Sequence, residues 1–209
     1  MICKINVLTG SLYRLKGKVA IISGGASGFG KSTAKLFVKH GAKVVICDVE
    51  DEQGHCVDRE VAEEIISYIH CDITNEDEVK NLIDLTISKH GKLDIMFNNA
   101  GIFGDTAMSV LETTSENFKK VFETNVYGGF LGAKHAARVM IPRKSGVVCE
   151  SNVLKGVLPQ PLDVANAALF MASDEAKFVS GLNLFLDGGN NVTNPSFSTV
   201  LKSFWRKMF

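Results

Sequence analysis

The chain has 209 residues, 45% apolar and 22% charged, which suits one domain with a sizeable core and excludes a disordered segment. A domain of that length buries roughly 70% of its unfolded surface, so it needs neither disulfides nor a metal to hold it together. Lys+Arg and Asp+Glu number 23 each, leaving no basic excess to follow a phosphate backbone, so no nucleic-acid partner is expected.

The first residues, 1–15, read as an N-terminal extension with a broken apolar stretch and no secretory pattern. Lys18 to Ser23 is a short buried-strand signal ending in glycines. A helix follows from Lys31 to His40, with Ala34, Phe37 and Val38 on one face and Gly41 as its cap. Ala42 to Asp48 is a second strand, Asp51–Ile66 a weaker helix, and Ser67 to Cys71 a third strand. The next helix is capped by Thr74, carries Val79, Leu82, Ile83 and Ile87 as one stripe, and stops at Gly91. Leu93 to Phe97 is a fourth strand. A long helix spans about 115–140, with Phe118, Val121 and Phe122 expected in the core. Gly146 to Cys149 is a fifth strand, Leu162–Ala172 a last helix, and Asn183 to Asp187 a last strand before the tail 190–209.

Strands separated by helices make βαβ units, so the fold class is α/β, a Rossmann-like doubly wound parallel sheet over 1–209. No apolar run reaches the ~18 residues of a membrane-spanning helix, so no membrane partner is expected. Five cysteines, Cys3, Cys47, Cys56, Cys71 and Cys149, are scattered without paired spacing, as reduced thiols of a cytoplasmic protein are. Cys47, His55, Cys56, His70 and Cys71 lack a two-plus-two ligand spacing, so no metal is expected.

The glycine-rich run from Ser23 to Gly30 lies between the first strand and first helix. Gly24, Gly28 and Gly30 allow a tight turn and close backbone approach to a pyrophosphate, which meets the positive helix end beside Phe29, while Ser27 adds a hydroxyl donor. The plain alternative is a turn that only packs strand on helix. Asp48, ending the second strand, accepts hydrogen bonds from ribose hydroxyls and repels a 2′-phosphate, which predicts NAD rather than NADP. Asp72, followed by Ile73, either reaches an adenine amino group or only precedes the Thr74 cap. Asn98, Asn99, Ala100 and Gly101 follow the fourth strand at the edge where such sheets bind ligands, or form a structural turn. Asn125 puts an amide on the apolar face of the long helix, where it must be a backbone clamp or a site residue.

These motifs resemble the classical short-chain dehydrogenase/reductase family, whose Thr-Gly-x-x-x-Gly-x-Gly fingerprint stands here with Ser23 for Thr, and whose Asn-Asn-Ala-Gly turn is intact. The wording from His90 to Ile102 and from Lys134 to Pro142 is similar to its plant branch, which includes xanthoxin, secoisolariciresinol and momilactone dehydrogenases. Asp163 to Glu175, Val179 to Gly181 and Asp187 to Gly189 resemble the family's last helix and strand. The resemblance covers about 16–150 and 153–198. It implies an NAD-dependent oxidoreductase acting on a secondary alcohol or ketone of a small hydrophobic metabolite.

The resemblance also implies a Tyr-x-x-x-Lys acid/base pair, a Ser and an Asn. Tyr13, Tyr68 and Tyr127 are followed four residues on by Gly17, Asp72 and Leu131, so the pair is absent. Counting from Gly146 puts Val153 at the Ser position, with Ser151 two places early, and only Asn125 of the tetrad remains. One contiguous block, about a helix–strand unit with its lid, is missing between Cys149 and about Asn152, which shortens the sheet. Its loss would bare the stripe around Phe118 and Phe122, inviting homo- or hetero-oligomers through helix 115–140. Three readings follow: an oxidoreductase impaired by the lost pair, an NAD-binding pseudo-enzyme that pairs with full-length relatives, and a truncated fragment without function.

Overall fold

The computed structural model describes residues 13–60, 65–105, 111–150, 160–177 and 179. The expected last strand 183–187, the tail 190–209 and the junction around Ser151, Asn152 and Val153 lie outside these.

Five parallel strands form one sheet: β1 (Val19–Ser23), β2 (Lys43–Asp48), β3 (Ile66–His70), β4 (Ile95–Asn98) and β5 (Val147–Glu150), in the order β3-β2-β1-β4-β5. All residues of β1 and β4 are buried, as befits central strands covered on both faces. Ile22 stands in register with Ile46 on one side and Phe97 on the other, and Phe97 with Cys149. On one face α1 (Gly28–Lys39), α2 (Asp51–Glu60) and α6 (Pro161–Ala172) pack Phe37, Val57 and Leu169 against Ile22, Ile46 and Phe97. On the other, α3 (Glu76–His90) and α5 (Gly128–Met140) pack Leu82, Ile83, Leu131 and Met140 against Ile21, Val45 and Met96.

Three sequence expectations are corrected. α1 begins at Gly28, three residues before Lys31, because the glycines at 28 and 30 are poor helix signals in a sequence, although Phe29 already packs on the core. Asn75, not Thr74, caps α3, its side-chain oxygen accepting from the N–H groups of Asp77 and Glu78. Thr74 is held one step earlier, since Asp72 Oδ1 accepts both its N–H (2.9 Å) and its hydroxyl (2.7 Å). The third concerns the long helix. It runs as α4 (Ser115–Phe122), a π-helical turn at Glu123–Tyr127, and α5, with helical dihedrals across both junctions. Phe118 and Phe122 are not core but 63% and 51% exposed. The extra residue of a π turn rotates one helix face against the next. The stripe of α4 therefore does not continue into the face that α5 buries through Leu131, Ala136 and Met140.

Candidate functional site

Sheet order reverses between β1 and β4, and the turns leaving both strands meet above that reversal. The turn after β1 bends through Gly24 (φ +64°) and Gly28 (φ +50°), a region that only glycine enters without strain. A Cβ on Gly30 would strike the Gly24 carbonyl, so the helix start lies directly on the turn. Above Gly28 a Cβ would meet nothing within 4 Å, so the outer side is open. Ser27 is the exposed N-cap, its hydroxyl makes no capping bond, and the first turn of α1 has no acidic residue. The leading N–H groups, the helix dipole and a free hydroxyl thus face outward together, a cradle that fits a phosphate. Phe29 is packed against the core and anchors this turn with its side chain.

Asp48, at the end of β2, is tied to the turn. Its Oδ2 accepts the Ala26 N–H (3.1 Å), and Oδ1 accepts those of Val49 (2.9 Å) and Glu50 (3.3 Å). A carboxylate offers about four acceptor positions, so capacity remains for a ligand hydroxyl. Beside it, a cavity of about 240 Å³ opens between Ala26 and Lys31 on one wall and Glu52, Gln53 and Cys56 of α2 on the other. Asp72 spends Oδ1 on Thr74, which agrees with the turn-forming alternative and leaves Oδ2 open. Ile73 packs toward the second core, against the Cα of Gly128.

The Asn98–Gly101 turn divides its labour in a way the sequence did not separate. The Asn98 amide is buried and donates to the Gly129 carbonyl (3.0 Å), clamping β4 to α5, so its side chain serves the fold. Asn99 reaches across the reversal: its amide donates to the carbonyls of Ser23 (2.9 Å) and Gly24 (3.2 Å). In return the buried Ser23 hydroxyl oxygen accepts the N–H groups of Asn99 (3.0 Å) and Ala100 (3.1 Å). Ser23 is the joint between the two turns. The only sequence signal for it was the Thr it replaces in the fingerprint. Gly101 lies exposed, close to the Asn125 side chain.

Asn125 sits in the π turn, and its amide clasps both backbone groups of one residue. Its Oδ1 accepts the Ile102 N–H and its Nδ2 donates to the Ile102 carbonyl, both at 2.8 Å. These two bonds hold the loop after β4 as a backbone clamp does. None of the tyrosines joins it as an acid/base. Tyr68 lies across the molecule on β3, its one hydroxyl proton shared between the Asp48 carbonyl (2.9 Å) and Asp51 Oδ1 (2.6 Å). Burial first, then Asp51, pushes its pKa far above the ordinary phenol value, so it stays a donor. Tyr127 stacks on Phe130 at the surface.

Two of the thiols are held neutral. Burial pushes Cys149 up to about 11, and the neighbouring Cys71 together with burial pushes Cys47 well above the ordinary thiol value. Among the described residues no group of three or more His, Cys, Asp or Glu is placed to hold a metal ion. Nor is any described helix long and apolar enough to cross a membrane.

A parallel sheet with a glycine cradle, a strand-end acid and a second turn locked beside it defines a Rossmann-like, doubly wound fold. Residues 18–168 match the short chain dehydrogenase family, and the chain belongs to it. It is 42% identical to a short chain aldehyde dehydrogenase 1 from Euphorbia lathyris, over 90% of this chain and 93% of that one. It is 41% identical to a secoisolariciresinol dehydrogenase from Forsythia intermedia, over 95% of this chain and 96% of that one. Among solved structures, a 7α-hydroxysteroid dehydrogenase complexed with NADH and 7-oxo glycochenodeoxycholic acid superposes with a TM-score of 0.76. It shares 28% identity over 85% of this chain and 96% of that one. The chain is thus an oxidoreductase by family.

Proposed function

We propose that this protein binds NAD at the Gly24–Gly30 turn and that its alcohol–ketone chemistry is impaired. The observation that carries the reading is the joint between cradle and strand ends. Asp48 holds Ala26, and Ser23 and Asn99 hold each other, which supports a cofactor half built for binding. The leading N–H groups of α1 and Ser27 bind the pyrophosphate, and the remaining acceptor capacity of Asp48 takes the adenosine ribose hydroxyls. A 2′-phosphate would meet the Asp48 carboxylate, hence NAD over NADP. The open Oδ2 of Asp72 is left for the adenine amino group. When bound, NAD supplies a hydride acceptor for a secondary alcohol of a small hydrophobic metabolite.

The proton half is what the chain lacks. No tyrosine is followed at the fourth place by lysine, and losing general acid/base help costs about 10²–10⁴-fold in rate. An internal loss after Cys149 explains this economically. The alignment with the Euphorbia protein runs over 268 positions although this chain has only 209 residues, so several tens of its positions face no residue here. A cytoplasmic location fits the four described cysteines, all free thiols.

A second reading, a cofactor-binding pseudo-enzyme that pairs with itself or full-length relatives, is favoured by the apolar stripe of Phe118, Phe122 and Phe130 on α4 and α5. Titration with NADH, followed by its fluorescence and by the thermal melt, tests the shared premise. A cooperative melt raised by several degrees is expected, since a ligand at 100 times its Kd adds ~2.7 kcal/mol. Turnover of NAD with secondary alcohols then separates an impaired enzyme from a silent one. A chain that neither melts cooperatively nor responds to NADH would sink both readings and leave the truncated fragment.

A further inference from the structure

We propose that Tyr68 is a positioning residue for the adenosine end of this site, locking Asp48 in place through its hydroxyl and so setting the preference for an unphosphorylated ribose. The proposal rests on the reading of Asp48 as the ribose acceptor.

Asp48 is useful only if its carboxylate stands where the turn after β1 and the ligand can both reach it. Its carbonyl oxygen accepts the Cys71 N–H (3.1 Å), just past β3, and stands 2.9 Å from the Tyr68 hydroxyl, whose single proton it shares with Asp51. The first belongs to the local backbone pairing. The second is a side chain that has crossed from β3, where Tyr68 stands in register with Ile46, two residues before Asp48. Its ring lies under α2 at Gly54, where any Cβ would collide with it, and the His55 ring meets it edge-on with centroids 4.9 Å apart. The same hydroxyl reaches Asp51 Oδ1, in the first turn of α2, at 2.6 Å, and that oxygen also takes His70 Nδ1 at 2.8 Å. One phenol thus ties the last residue of β2 to the start of α2. These two elements frame Asp48, and α2 forms a wall of the cavity beside it.

Ring packing and hydroxyl bonding can be separated by experiment. Tyr68→Phe keeps the ring against Gly54 and removes only the hydroxyl. Its NADH affinity, measured by fluorescence titration, is expected to fall about 3- to 10-fold, the worth of one or two hydrogen bonds. NADPH affinity is expected to change little, because Asp48 gives a 2′-phosphate nothing to lose, so the NADH:NADPH ratio falls with it. In an Asp48→Ala background the same substitution is expected to leave NADH affinity within about twofold, a coupling that a merely structural tyrosine would not produce. Wild-type affinity in Y68F overturns the proposal. So does an equal loss for NADH and NADPH, or an undiminished loss in the Asp48→Ala background. In each of these cases the cofactor reading still stands, because wild-type protein binds NADH. Wild-type protein that takes up no NADH overturns that reading, and the proposal with it.

Discussion

Asp94 shows how one buried side chain holds together the edge of the sheet opposite the site. Its Oδ2 accepts the Val19 N–H (2.9 Å) and pairs with Lys92 (2.7 Å), while Oδ1 meets Arg143 (3.1 Å). Burial alone would raise its pKa, but the bonds from Lys92, the Val19 N–H and Arg143 outweigh it and hold it below the ordinary carboxylate value. A folded value below the unfolded ~3.9 stabilises the protein above that pH, and the contribution is lost as pH falls through the folded value. Urea midpoints should therefore drop between about pH 5 and the acid limit. Asp94→Asn should already cost about 1–3 kcal/mol at pH 7 and flatten that drop. At this scale the sequence showed which residue types stood where, but not their partners. Asn98 and Asn99 read alike as members of one turn and Asn125 as an amide on a helix face, and their partners Gly129, Ser23 and Ile102 stand 31, 76 and 23 residues away.

Among the elements, α1 carries the sharpest constraint. Its first turn presses on the glycine-rich turn so closely that Gly30→Ala drives a methyl against the Gly24 carbonyl. That overpacking should cost about 1–3 kcal/mol in chemical denaturation and weaken NADH binding with it. The opposite case is the outward stripe of α4 and α5. Phe118, Phe122 and Phe130 are each more than half exposed, so changing all three to Ser should move stability by no more than about 0.5 kcal/mol per site. Self-association, followed by light scattering against concentration, should fall sharply, and an unchanged association state would remove the stripe as an interface. Helical spacing in the sequence found Phe118 and Phe122, with Val121, and assigned them to the core. Spacing records that a face exists, while only packing decides which way it points, and here the π turn at Glu123–Tyr127 separates the two faces.

Over the whole molecule, alternation of short apolar runs with amphipathic stretches was enough to place all five described strands and their parallel class, because buried parallel strands need continuous apolar sequence. The glycine cradle, the Asp48 position and the want of a Tyr-x-x-x-Lys pair were equally plain in the chain itself, being matters of residue type and short spacing. Tertiary structure alone decided how those parts join: the Ser23 hydroxyl between two turns, the Asn125 amide clasping Ile102, and the Tyr68 hydroxyl on Asp48. The physical reason is common to all three. A polar group leaving water must find its partner in space rather than along the sequence, and the sheet brings those partners together only after its strands have paired.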